Sequence, residues 1–273
     1  MHKHFFLIMA LLACAFAARA QEGDRVNVPL SDPSRPAVIK ASLLSGGITV
    51  TGYNGKEVIV EARARGHENE RPSKPNPKAD GLRRLDTRGS GLSIDEGDNV
   101  VKIGVHPGRA VDLVIQAPFN SSLNLNCLND GSIQVEHISG EIEVSDLNGP
   151  VKLTNISGTV VAHSLNADVT VVFDQITPGK PMSFSSLNGD VDVTMPADTK
   201  ARVKMKSDNG EIYSDFEIRQ EAGPNGSGLA ETNHDGGRFR VRFDKTMYGS
   251  INGGGPEIEF TTMNGKIYLR KKK

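Results

Sequence analysis

Residues 138–171 read ISGEIEVSDLNGPVKLTNISGTVVAHSLNADVTV, four near-copies of one nine-residue unit. The glycine position falls at Gly140, Gly149, Gly158 and, as alanine, at Ala167. So short a period restricts the chain to one small supersecondary unit repeated, because such a unit buries its apolar face only against its neighbours. Counted from the glycine, apolar residues stand two before it and two and four after it. These are Ile138, Ile142 and Val144, then Leu147, Val151 and Leu153, then Leu165, Val169 and Val171. Period two is the pattern of a strand with one buried face. Glu141, Glu143 and Lys152 fall on the opposite face. The step from Val144 to Leu147 is odd, and a strand cannot keep both residues on one face across it. Each unit therefore reads as a short strand plus a corner, with Ser145-Asp146 and Thr154-Asn155 at the corners.

Two assemblies satisfy this pattern. Asn-Gly between apolar runs is a hairpin signal and suits an antiparallel meander or sandwich. The small-residue positions continue, however, as 149, 167, 189 and 210, a spacing of about twenty residues that suits stacked coils. The favoured reading is all-β: a single β-solenoid with about twenty residues per coil and two short strands in each. Its turn positions are Gly140, Gly149, Gly158, Gly189, Gly210 and Gly265, where close backbone approach or positive φ excludes a Cβ. Related units lie at 45–50, 54–60, 187–193, 208–212 and 263–269. Irregular loops are expected near 66–91 and 221–237, with a short break at 253–256. None separates two compositions, so residues 21–273 read as one domain.

Residues 1–20 read as a signal peptide: a basic MHKH start, an apolar run at 5–18, and Ala18-Arg19-Ala20 before the cleavage point. The run is short for a membrane span, and no later stretch is long enough, so the mature chain is expected to have no transmembrane span. Export to the periplasm, cell surface or medium follows. Leu11-Leu12-Ala13-Cys14 also resembles a lipoprotein box, which makes a lipid anchor at Cys14 the competing reading. Without the leader one cysteine remains, Cys127, at an inward position of LNLNCLND, so no internal disulfide is expected. The charge is nearly balanced, which argues against nucleic acid as a partner. The terminal basic run at 270–273 reads as protection of a last edge strand.

The run VDLVIQAP at 111–118, the Asn-rich strand that follows it, and the serial Leu-Asn-Gly-x-Val units together resemble a bacterial family of candidate adhesins. That family is catalogued as domain of unknown function 4097 and is related to GIN-head domains of auto-transporter adhesins. The resemblance implies an exported, β-helix-like envelope domain with no established catalytic residues.

Chemistry in the repeat is sparse. A calcium nonapeptide repeat would carry Asp at every corner, yet Asp146 gives way to Asn155 and Ser164. If positions 149, 167, 189 and 210 stack in chain order, the residues after them form the column Pro150, Asp168, Asp190, Glu211. Three carboxylates at strand spacing make a weak cation row the candidate metal site. Polysaccharide lyases and hydrolases also use β-helices, so that enzyme class is the alternative. The acid pairs Glu141/Glu143 and Asp190/Asp192 read as parts of a solvated strand face, with no aromatic platform expected nearby to hold a sugar. His67, His106, His137, His163 and His234 lack metal-ligand spacing. The expectation is a non-catalytic envelope or adhesin-like scaffold without a cofactor, binding surface polymers or envelope partners whose identity the residues do not name.

Overall fold

The computed structural model describes residues 24–65, 91–106, 110–223, 231–235, 238–242 and 246–273. The leader, Cys14, His67 and nearly all of the stretch at 66–91 lie outside the described residues, as does part of the loop at 221–237. Among the described residues every regular element is a strand. The first nine are β1 Asp24–Pro29, β2 Val38–Ser45, β3 Ile48–Tyr53, β4 Glu57–Ala64, β5 Leu92–Gly97, β6 Val100–Val105, β7 Val111–Pro118, β8 Ser122–Asn129 and β9 Ile133–Glu136. The repeat region holds β10 Ser139–Asp146, β11 Val151–Ser164, β12 Val169–Ile176, β13 Met182–Ser186, β14 Val191–Met195, β15 Ala201–Ser207 and β16 Ile212–Ser214. The last are β17 Arg219–Gln220, β18 Glu231–Asp235, β19 Arg238–Arg242, β20 Met247–Ile251, β21 Glu257–Thr262 and β22 Ile267–Lys271. Strands β18 and β19 form a separate antiparallel pair.

The other strands form two long ladders. One runs β5–β6–β2–β8–β10–β11–β13–β21–β15–β20–β17. The other runs β1–β4–β7–β3–β9–β11–β12–β14–β22–β16. From β8 to β16 the chain crosses between ladders after every strand, and β11 serves both. Its residues 151–154 and 156–158 pair in the second ladder and 157–164 in the first, so the two overlap at Ser157 and Gly158. The bend between them sits at Asn155 (φ 54°) and Gly158 (φ 132°), with a register shift from Leu153 to Ile156. Central pairings are parallel, which favours the β-solenoid-like reading over a meander. Antiparallel pairs are confined to the ends of the ladders.

The stacking order departs from chain order at both ends. Strands β2 and β3 insert between β6/β7 and β8/β9. Strands β21 and β22 insert between β13/β14 and β15/β16. Residues 57–60, which read as a further repeat unit, instead run antiparallel within β4. The last strand is not an edge: β22 pairs on both sides. The basic run therefore clamps its neighbours, with Arg270 on Asp192 (2.8 Å) and Lys272 on Asp174 (2.5 Å).

Inward side chains are mostly Val, Ile and Leu, as a narrow space between two strand faces requires. Three phenylalanines fill a wider part. Phe184 lies edge-on to Phe173 at 6.2 Å and stacks on Phe260 at 5.4 Å.

Candidate functional site

The corners that follow β10, β11, β13, β21 and β15 of the first ladder are built from one four-residue sentence. It reads Asp146-Leu-Asn-Gly149, Ser164-Leu-Asn-Ala167, Ser186-Leu-Asn-Gly189, Thr262-Met-Asn-Gly265 and Ser207-Asp-Asn-Gly210. The first residue turns inward and is buried in all five cases. Its hydroxyl donates to the corner carbonyl of the adjacent layer: Ser164 to Gly149 (3.1 Å), Ser186 to Ala167 (2.9 Å), Thr262 to Gly189 (2.9 Å) and Ser207 to Gly265 (2.8 Å). The same oxygen accepts an N–H of its own corner, from Ala167 to Ser164 and from Gly189 to Ser186. One side chain thus satisfies two buried backbone groups that no strand partner reaches.

The third residue builds an amide ladder. Asn148 donates to Asn129, Asn166 to Asn148, Asn188 to Asn166, Asn264 to Asn188 and Asn209 to Asn264, over 2.7–3.0 Å. The fourth residue is small because layers touch there. A Cβ on Gly149 would lie 1.8 Å from the Gly131 carbonyl oxygen, and one on Gly189 would lie 2.2 Å from that of Ala167. Gly210 and Gly265 sit in the same column, each against the corner carbonyl next to it. Gly140 and Gly158 occupy the other corner, against Ser121 and Gly140 respectively.

The second residue corrects the sequence reading. Period two places Leu147 and Leu165 on the buried face with Ile138, but only Ile138 is buried. Asp146 and Ser164, whose polar groups the turn needs, take the inward place, and the odd step puts the leucines outside. In register they form one ridge of Leu44, Leu128, Leu147, Leu165, Leu187 and Met263. Leu165 is half-buried, and the other five are 36–51% exposed. In the outer layer the corresponding residue is Asp208.

Asp146 is the exception in the inward column. It is fully buried, and its Oδ1 accepts the N–H groups of Gly149 (2.6 Å) and Asn148 (3.1 Å). Its Oδ2 has no hydrogen-bond partner among the described residues. Burial raises its pKa, with the two backbone donors and, less strongly, the neighbouring Cys127 thiol opposing. Cys127, one layer away, donates to the Gly46 carbonyl, and burial followed by the Asp146 charge pushes its thiol up to about 12. Such a thiol is inert.

The column of three adjacent carboxylates does not form. The inserted strand β22 places Lys266 between Asp190 and Glu211, so the order is Pro150, Asp168, Asp190, Lys266, Glu211. Asp168 Oδ1 accepts the Asp190 N–H (2.8 Å), and Asp190 Oδ1 accepts the Lys266 N–H (2.7 Å). The Lys266 ammonium lies 3.9 Å from Glu211. No cluster of three or more candidate metal ligands occurs among the described residues.

The acid pairs are likewise engaged. Glu141 pairs with Lys180, Glu143 accepts from Asn124 (2.9 Å), and Asp192 is held by Arg270. Asp192 does have aromatic company that its sequence neighbours do not reveal. Register carries the row from Asp192 to Tyr268 to Tyr213. A cleft of about 640 Å³ at the other corner is lined by Asp174, Asp198, Lys200 and Pro256 among others, with no histidine or cysteine.

A family model described as Toastrack DUF4097 matches residues 26–244. The chain belongs to this family. The Toastrack match takes in both ladders except β20, β21 and β22, and it agrees with the resemblance carried by the Leu-Asn-Gly units. Among solved structures, a candidate cell adhesion protein from Clostridium sporogenes ATCC 15579 is similar at 11% identity and a TM-score of 0.46, covering 92% of this chain and 100% of its own. A candidate adhesin from Bacteroides fragilis NCTC 9343 is similar at 7% identity and a TM-score of 0.27, covering 93% and 98%. No curated protein matches the chain. No helix among the described residues is long and apolar enough to cross a membrane.

Proposed function

We propose that this Toastrack chain is a non-catalytic, exported β-solenoid scaffold of the cell envelope. Its coils have about twenty residues and two short strands each. It binds surface polymers or envelope partners along its outer corner. The observation that carries this reading is the ridge from Leu44 to Met263. Contiguous apolar side chains facing water favour association and mark interaction surfaces. The corner itself does not require them, because Asp208 serves at the same place in the outer layer. The acids that a lyase or hydrolase would need are tied into structural pairs instead, and the inert Cys127 offers no nucleophile. Residues 1–20, read as a signal peptide, support export, with a lipid anchor at Cys14 as the alternative mode of attachment.

The test is a Leu147→Ser/Leu187→Ser double variant, assayed for binding to isolated peptidoglycan sacculi and to purified envelope polysaccharide. Both sites are exposed, so its melting temperature should stay near that of the wild type. Loss of binding is the expected result. Undiminished binding would remove the ridge from the account, and released glycan fragments would replace the scaffold with an enzyme.

A further inference from the structure

The proposed scaffold reading leaves open where a sugar would be gripped, and the second ladder offers a place. The units Glu211-Ile-Tyr213 and Lys266-Ile-Tyr268 are copies of one sentence, and their register sets Tyr213 beside Tyr268. The ring centroids are 5.3 Å apart and the planes differ by 9°. Arg270 lies 5.0 Å from the Tyr268 centroid and is fixed by a two-pronged bond to Asp192 (2.8 and 3.0 Å). The Tyr213 hydroxyl donates to Glu211. Guanidinium, ring and ring therefore form a stack whose torsions are fixed before any ligand arrives, which lowers the entropy cost of binding.

Tyr213 is 45% exposed on strand β16, which pairs only with β22 among the described residues. A flat aromatic face is thus presented at the end of the ladder, with the Glu211 carboxylate and the Lys266 ammonium beside it. The nearby cations Arg270 and Lys266 disfavour a cationic ligand on this ring, and a purely apolar ligand would leave the charged rim unpaired. A pyranose ring matches both features, having an apolar C–H face and a rim of hydroxyls that donate and accept.

We propose that Tyr213, backed by Tyr268 and Arg270, is a stacking platform for one pyranose ring of a neutral glycan, whose hydroxyls bond to Glu211 and Lys266. The proposal rests on the polymer-binding reading above but uses a site separate from the ridge.

The experiment titrates the full chain with a neutral β-linked glucose hexasaccharide and, separately, its N-acetylated counterpart, by calorimetry and by the chemical shifts of the tyrosine rings. Wild type, Tyr213→Phe, Tyr213→Ala and the ridge double variant are compared, with melting curves as the folding control. Expected are saturable binding with shifts at Tyr213, retention in Tyr213→Phe, and a loss of about tenfold in Tyr213→Ala. The ridge variant should bind the hexasaccharide as wild type does, even where it no longer binds sacculi. Equal affinity in Tyr213→Ala, or no binding of either neutral probe by the wild type, overturns the platform and leaves the ridge reading standing.

Discussion

Replacing Asp146 with asparagine should stabilise the protein, and by an amount that depends on pH. At this corner the layers on one side, from Ser164 to Ser207, place a hydroxyl that donates to a corner carbonyl, and in Ser164 and Ser186 also accepts. The layer on the other side places the Cys127 thiol. An ionised carboxylate accepts from Gly149 and Asn148 but has no proton for the corner carbonyl of the adjacent layer, and its second oxygen is buried without a partner. An unsatisfied buried polar group costs about 1–3 kcal/mol, more when charged. The amide introduced by Asp146→Asn would keep the acceptor and supply an N–H on the other side.

The sign follows from linkage. Burial raises the folded pKa of Asp146 above its ordinary 3.8. Between those two values the native state holds more protons than the unfolded chain, so wild-type stability falls as pH rises through that window. Cys127, pushed up to about 12, stays neutral throughout. Urea midpoints of wild type and Asp146→Asn, taken from about pH 4 to about pH 8, should differ little at the acid end. At the alkaline end the variant should lead by about 1–3 kcal/mol, or a few degrees of melting temperature for a chain of this size. A variant less stable than wild type at about pH 8, or a gap that does not change with pH, would refute the argument.

Other consequences can be measured in the same way. Gly149→Val sets side-chain atoms onto the Gly131 carbonyl and should cost about 3 kcal/mol or more, whereas Lys152→Val, exposed on a strand, should stay within about 0.5 kcal/mol. Equal melting temperatures would mean the layers are not in contact at the corner. Asn166→Ala removes two rungs of the amide ladder and Asn209→Ala only one, so the first should cost about twice the second, on the order of 1–2 kcal/mol against about 1. Identical losses would show that the amides act singly. Ser164→Ala leaves the Gly149 carbonyl and the Ala167 N–H without their bridging hydroxyl and should cost about 1–3 kcal/mol in a urea melt, while Ser164→Thr should recover most of it.

Strand period, corner spacing and the all-β class were legible because they are local: alternation along Val151–Leu153 and Val169–Val171 follows directly from which face is dry. The face of Leu147 was not, since an odd step allows either neighbour to turn inward. What decides is the demand of the Gly149 N–H for an acceptor, and the recurrence of Asp, Ser or Thr before Leu-Asn-Gly carried that signal. The acidic column failed for a different reason. Spacings from 149 to 210 look uninterrupted along the chain, yet the layer between Asp190 and Glu211 is supplied by Lys266, far downstream. The same long-range insertion joins Tyr213 to Tyr268 beside Asp192, a neighbourhood that sequence proximity could not disclose.

That insertion underlies the corner columns, the broken acid row and the tyrosine platform, and cross-linking tests it directly. In the observed order Ser185 of β13 lies in register with Thr261 of β21, and Thr261 with Lys206 of β15. Stacking in chain order would instead put Ser185 beside Lys206. With Cys127 replaced by serine, Ser185→Cys paired with Thr261→Cys should oxidise to a disulfide, because neighbouring strands lie within bridging distance. Ser185→Cys paired with Lys206→Cys, two strands apart, should remain reduced. A disulfide in the second pair and none in the first would contradict the threaded order and everything derived from it.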